Sequence, residues 1–116
     1  MKKDPGCIFC RIMAGEIPSA IVYEDEEMVA LRDANPQMPV HVLAMPRTHF
    51  ATLSEMDEEG AAAVSHIFRK IPEIADGLGL KNGYRLIVNQ GADAGQTVRH
   101  LHIHILGGAD MGEKIV

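Results

Sequence analysis

The chain has 116 residues, 47% of them hydrophobic, with 11 basic and 16 acidic side chains and a formal net charge of −5. That length and composition suit one globular domain over residues 1–116, large enough to build a core without disulfide staples, and exclude the profile of a disordered chain. The acidic balance supplies no field for a polyanionic backbone, which argues against extended nucleic acid as a partner and leaves room for a small anion in a local pocket.

No window reaches ~18 consecutive apolar residues, and Met1-Lys-Lys-Asp-Pro-Gly6 leads into no long apolar run. Neither a membrane span nor a secretory leader is therefore expected, and the expected compartment is the cytoplasm. Cys7 and Cys10 form a Cys-x-x-Cys spacing that, under reducing conditions, favours a metal or redox role over a structural disulfide.

In chain order, Cys10–Met13 fits a short helix closed by Ala14-Gly15. Ala20–Glu24 and Met28–Arg32 read as strands joined by the acidic turn Asp25-Glu26-Glu27, a hairpin pattern. Val40–Met45 is a third strand, confined between Pro39 and Pro46 because proline donates no ladder hydrogen bond. From Ser54 the period changes: Ser54 and Asp57 can cap a helix in which Val64, Ile67, Phe68, Ile71, Ala75 and Leu78 recur on one side. Pro72 is expected to kink that helix, and Gly77 and Gly79 to stop it. Tyr84–Asn89 and Arg99–Leu106 complete five strands. Strands gathered around one long and one short helix give an α+β fold with a mostly antiparallel sheet.

Three of the six histidines fall within five residues. In His100-Leu-His-Ile-His-Ile-Leu106 the imidazoles share one face of a strand and Leu101, Ile103 and Ile105 share the other, which is the face expected to be buried. Same-face neighbours sit about 6.5–7 Å apart, a span that lets two rings flank one phosphate-sized group. A largely neutral imidazole has a ring nitrogen available to attack phosphorus or to accept a proton. A polar strand face exposed at a sheet edge, or a metal patch, would show the same alternation. The preceding loop, Gly91-Ala-Asp-Ala-Gly-Gln-Thr97, can bring backbone N–H groups, an amide and a hydroxyl to an anion. His66, on the long helix, is expected to face solvent.

The His-x-His-x-His-x-x run with apolar spacers resembles the signature of the histidine triad superfamily. Phe9, Gly15-Glu-Ile-Pro18, Glu24-Asp25, Asp33, Pro36-Gln-Met-Pro-Val-His41, Met45-Pro46, His49, Val88-Asn89 and Gly95-Gln96 extend the resemblance to its nucleotide-binding branch over nearly the whole chain. The resemblance implies a nucleotide hydrolase or transferase acting at the α-phosphate, typically on purine nucleoside phosphoramidates or related adenylylated compounds.

By the same resemblance, His102 would be the nucleophile, with His104 and His41 contacting phosphate oxygens or assisting proton transfer. Asn89, Gln96, Thr97 and the backbone N–H of Val98 would hold phosphate oxygens. Asp33 would take the ribose hydroxyls, and Phe9, Ile12, Ile17, Leu31 and Ala34 would line the base and sugar pocket. Thr97 stands where many relatives have serine, keeping the hydroxyl and adding a methyl. The ten residues after Leu106 lack the tryptophan that some relatives carry at the active-site rim.

Some bacterial members of the family carry the same Cys-x-x-Cys and hold zinc with it, which here implies a structural zinc on Cys7, Cys10, His49 and His100. The family also implies a homodimer whose two five-stranded sheets join, and a purine nucleotide such as an AMP or GMP derivative as ligand. The alternatives are a dinucleoside polyphosphate hydrolase, a nucleotidyl transferase, or a non-catalytic nucleotide-binding adaptor.

Overall fold

A computed structural model describes residues 1–114; Ile115 and Val116, the end of the tail after Leu106, lie outside them. The order is α1 (Ile8–Met13), β1 (Ile21–Glu24), β2 (Met28–Arg32), β3 (Val40–Pro46), α2 (Glu58–Gly77), β4 (Tyr84–Ile87) and β5 (Ile103–Gly107), with short 3-10 turns at Leu53–Glu55 and Ala92–Ala94. All five strands join one antiparallel sheet in the order β1-β2-β3-β5-β4. The fold is α+β, as the element pattern predicts. Among the described residues no helix is long and apolar enough to cross a membrane.

Both faces of the central strands are covered. On one, Met28, Ala30, Val42, Ala44, Ile103 and Ile105 pack against Ile67, Ile71, Ile74 and Ala75 of α2. On the other, Val29, Leu31, Leu43 and Met45 pack against Cys7 and Phe9, with Ile12 and Val98 alongside. Each fully buried aliphatic side chain contributes roughly 1.5–3 kcal/mol against an extended-chain reference. The second layer overturns the expectation that only Leu101, Ile103 and Ile105 would be buried: His100 is 0% and His102 8% exposed. Phe9 of the α1 segment packs over His100 and His102, while His104 is half-buried.

Several boundaries differ from the sequence reading. The first helix starts at Ile8, because Cys7 acts as its N-cap and its sulfur accepts from the backbone N–H of Cys10. β5 begins only at Ile103, where pairing with Ala44 of β3 begins, so His100, in a bend, and His102 lie outside the ladder. β4 ends at Ile87 and β3 runs on through Pro46.

The long helix is capped by Asp57, whose carboxylate accepts from Gly60 N–H, while Ser54 belongs to the separate 3-10 turn. α2 continues through Pro72. Gly79 at φ +76° takes the left-handed conformation after its last turn. Phe68 is 47% exposed and does not belong to the core stripe, whereas Ile74 does.

His66 is half-buried instead of solvent-facing, and its Nε2 lies 2.6 Å from Asp25 Oδ2. Asp25 is the hub of the β1–β2 turn: its carboxylate also accepts from Tyr23 OH and from the backbone N–H groups of Glu27 and Met28. Burial raises its pKa, but the bonds from His66, Glu27, Tyr23 and Met28 outweigh that and hold it well below the usual carboxylate range. A depressed carboxylate pKa stabilises the fold above the unfolded value, about 4, and that stabilisation is lost as pH falls through the folded value. Asp25→Asn should therefore cost about 1–3 kcal/mol at pH 7, with the deficit shrinking below about pH 4. Denaturant unfolding of both proteins across that pH range measures it.

Candidate functional site

The register of β3 against β5 builds the centre of the site. Leu43 pairs with His104 and His41 with Leu106, so His41 and His104 lie on the same face, diagonal to one another across the ladder. Their rings meet, with His41 Nε2 2.8 Å from His104 Nδ1. Asp33, on the turn after β2, brings Oδ2 to 3.4 Å from His41 Nε2 while its Oδ1 accepts from Asn35 N–H. Burial, then the His102 and His41 rings, push the His104 pKa down to about 4 against the opposing pull of Asp33.

His102 is placed differently. Its Nδ1 lies 2.7 Å from the His100 carbonyl oxygen. A carbonyl only accepts, so Nδ1 carries the proton and, in the neutral ring, the lone pair is on Nε2. Phe9 packs edge-on against the His102 ring at a centroid distance of 5.2 Å and against His100 at 5.9 Å. His104 closes the other side, 5.1 Å between centroids. A ring oriented by a hydrogen bond at one nitrogen and wedged between two others presents its second nitrogen in a fixed direction.

The expected phosphate-binding residues form the loop between β4 and β5. Gln96 commits its side chain to the loop itself: Oε1 accepts from Gly91 N–H at 2.9 Å and Nε2 donates to the Ala51 carbonyl at 2.7 Å. Asn89 Nδ2 donates to the Ala94 carbonyl. Thr97 is exposed and Val98 half-buried beside the Phe9 cluster. Of the expected base and sugar residues, Phe9, Ile12 and Leu31 share one apolar cluster, Ile17 is half-buried and Ala34 exposed. A separate depression of about 720 Å³, bordered by Leu80, Tyr84, Arg85 and Asp110, shares none of these residues.

Behind the histidines, Cys7, Cys10, His49 and His100 bring one donor atom each to within 4.8 Å of one another. Cys7 Sγ is 3.4 Å from His100 Nδ1, Cys10 Sγ is 3.5 Å from His49 Nδ1 and 3.6 Å from His100 Nδ1, and the two Nδ1 atoms are 3.0 Å apart. Metal–sulfur bonds of about 2.3 Å and metal–nitrogen bonds of about 2.0–2.1 Å in a tetrahedron put sulfur and nitrogen roughly 3.5 Å apart, so the four groups fit one ion. The outer nitrogens agree: His100 Nε2 donates to the Pro46 carbonyl at 2.8 Å and His49 Nε2 faces Asp4 Oδ2 at 3.7 Å. That leaves the inner nitrogens as lone-pair donors. The cluster can hold a metal ion, and four protein ligands leave no open position on it.

Three contributors had no signal in the sequence. The Pro46 carbonyl that orients His100 and the Gln37 N–H that donates to His41 Nδ1 are main-chain groups, identical in every residue type and visible only once the chain is folded. Asp4, facing His49, sits three residues before the first cysteine and shows no pattern of its own.

Residues 14–111 match the HIT domain family. An uncharacterised HIT-like protein of Synechocystis sp. is 50% identical over 101 residues, 87% of this chain and 89% of the relative. Among solved structures, a HIT family hydrolase from Clostridium thermocellum is similar at a TM-score of 0.93 and 48% identity, covering 98% of this chain and 100% of that one. A histidine triad protein from Clostridium difficile is similar at 0.91 and 42%, covering 97% and 98%.

Proposed function

The chain belongs to the HIT domain family, and from that premise we propose that it is a hydrolase cleaving purine nucleoside phosphoramidates or related adenylylated compounds at the α-phosphate. The observation that carries this reading is the bond of 2.7 Å from His102 Nδ1 to the His100 carbonyl, which reserves the Nε2 lone pair for attack. In the first step Nε2 forms a bond to phosphorus as the bond to the leaving amine breaks, and the amine takes a proton passed on by the His104–His41 pair. In the second, water attacks phosphorus and returns one proton to that pair, the phosphorus–nitrogen bond breaks, Nε2 regains its lone pair and the nucleoside monophosphate leaves. Two modest barriers replace one high one.

The other residues take supporting roles. His104, with His41 behind it, donates toward phosphate oxygens or the leaving group. Asn89, Gln96, Thr97 and the Val98 N–H meet the remaining oxygens, and the bonds of Gln96 to Gly91 and Ala51 also hold their loop in shape. Asp33 takes the ribose hydroxyls, and Phe9, Ile12, Ile17, Leu31 and Ala34 border the nucleoside.

The metal is zinc, held by Cys7, Cys10, His49 and His100 in a structural role. It supplies cross-linking of α1 to the sheet and no chemistry at the phosphate. The protein works as a homodimer in the cytoplasm, where the two thiols stay reduced. The unpaired edge of β4 and the exposed Phe68 and Tyr84 support the dimer.

His102→Ala should abolish turnover of an adenosine phosphoramidate while nucleotide affinity stays within about tenfold. Acid-quenched wild-type protein should carry one nucleotidyl group on His102, and substantial residual activity in the variant would sink the assignment. Elemental analysis of protein purified without chelator should find close to one zinc per chain, lost together with thermal stability in Cys7→Ala; stability undiminished in zinc-free protein would contradict the structural role. Sedimentation equilibrium should give about twice the 12.6 kDa chain mass, and a monomer at micromolar concentration would refute the dimer.

A further inference from the structure

A hydrogen-bond chain enters the triad from the main chain of the turn between β2 and β3. The backbone N–H of Gln37 donates to His41 Nδ1 at 3.0 Å. A backbone amide nitrogen can only donate, so His41 Nδ1 carries a lone pair and the neutral ring bears its proton on Nε2. At Nε2 that proton meets two acceptors, His104 Nδ1 at 2.8 Å and Asp33 Oδ2 at 3.4 Å. His104 Nδ1 receives it, which leaves Nε2–H as the remaining donor of the His104 ring. The proton order of two titratable rings is thus set by a group that does not titrate.

The same order decides what the cluster can bind. Asp33, His41 and His104 place a carboxylate oxygen and two ring nitrogens within 4.8 Å of one another, a two-histidine, one-carboxylate set of the kind that holds transition metals. An ion there needs lone pairs on His41 Nε2 and His104 Nδ1 together. With the Gln37 N–H fixed on Nδ1, freeing Nε2 strips both ring protons from His41, which imidazole does not do near neutral pH. The cysteine cluster is wired the opposite way. Its outer nitrogens face acceptors, the Pro46 carbonyl and the Asp4 carboxylate, so its inner nitrogens are lone-pair donors.

We propose that the backbone amide of Gln37 is a positioning group for the reaction, ordering His41 and His104 so that His104 offers Nε2–H to a phosphoryl oxygen and so that this cluster carries protons and not metal. The part played toward phosphate rests on the hydrolase reading; the proton order does not. Long-range proton–nitrogen NMR of the wild-type protein as purified should show both rings protonated at Nε2. Either ring protonated at Nδ1 would overturn the proposal without any variant.

Replacing the amide at residue 37 by an ester, which keeps the glutamine side chain and removes the N–H, should shift His41 toward the Nδ1–H form. It should also lower kcat by about tenfold or more with little change in KM. Added Ni²⁺ should broaden the His41 and His104 resonances in the ester protein and leave them sharp in the wild type. Gln37→Ala, which retains the N–H, should keep the wild-type ring signals. Unchanged tautomers in the ester protein, or a tautomer change in Gln37→Ala, would overturn the proposal. Absence of any nucleotide turnover in wild-type protein with the assigned tautomers would overturn the hydrolase reading while the proton order stands.

Discussion

His100 is fully buried, and both its ring nitrogens and its carbonyl have partners. Nδ1 faces Cys7, Cys10 and His49, Nε2 donates to the Pro46 carbonyl, and the main-chain carbonyl accepts from His102 Nδ1. Burying an imidazole is costly unless its hydrogen bonds are replaced, and here each is. Burial also pushes its pKa down to about 4, ahead of the smaller effects of its neighbours. The neutral ring that results is the form able to ligate an ion on one side while donating on the other. The carbonyl that orients His102 belongs to the same residue that closes the cysteine cluster, so the position of the His102 ring and the integrity of the cluster are not separable. Leu101, between them, donates its N–H to the Phe50 carbonyl and is itself buried, which anchors the approach to β5 where no ladder does so.

The sheet's two faces carry different work. The α2 face is uniformly apolar, with Ile67, Ile71 and Ile74 over Val42, Ala44, Ile103 and Ile105. The opposite face mixes Leu31, Leu43 and Met45 with histidines, under a helix of only six residues. An antiparallel sheet can leave one face to water, and this one instead seals its polar face with α1 and with Phe9. Water exclusion strengthens every hydrogen bond among the rings and makes any unsatisfied one expensive.

The hairpin, the capped long helix and the cysteine spacing are legible in the sequence, as is the alternation of the three histidines, although only His104 lies within β5. What joins them is not. His41 meets His104 because β3 pairs with β5 at Leu43 and His104, a long-range register that no local period encodes. The burial of the histidine face was missed because alternation says which residues share a face and nothing about what covers it; the cover, Phe9, is one aromatic in a short segment. Phe68 fitted the helical stripe by spacing, yet the sheet is narrower than the stripe and leaves it 47% exposed. The bonds of Gln96 to Gly91 and Ala51, five and 45 positions away, likewise have no local sequence signal. His66 was read as solvated because nothing in its own helix pairs with it; its partner, Asp25, lies 41 positions earlier.

The six-residue α1 has a consequence for how stability is distributed along the chain. A helix of less than two turns does not hold its shape in water by its own hydrogen bonds, so its residence on the sheet comes from what anchors it. Those anchors are Phe9 in the apolar layer and the two sulfurs that flank it in sequence, Cys7 and Cys10. Opening of this segment is accordingly a local event with its own free energy, smaller than that of the α2 layer, and an ion bound between the sulfurs and the rings deepens it by mass action according to its free concentration. Exposure of the His102 environment to solvent then follows the opening of this one short segment and, wherever the cluster holds an ion, that ion's dissociation constant, independent of global unfolding.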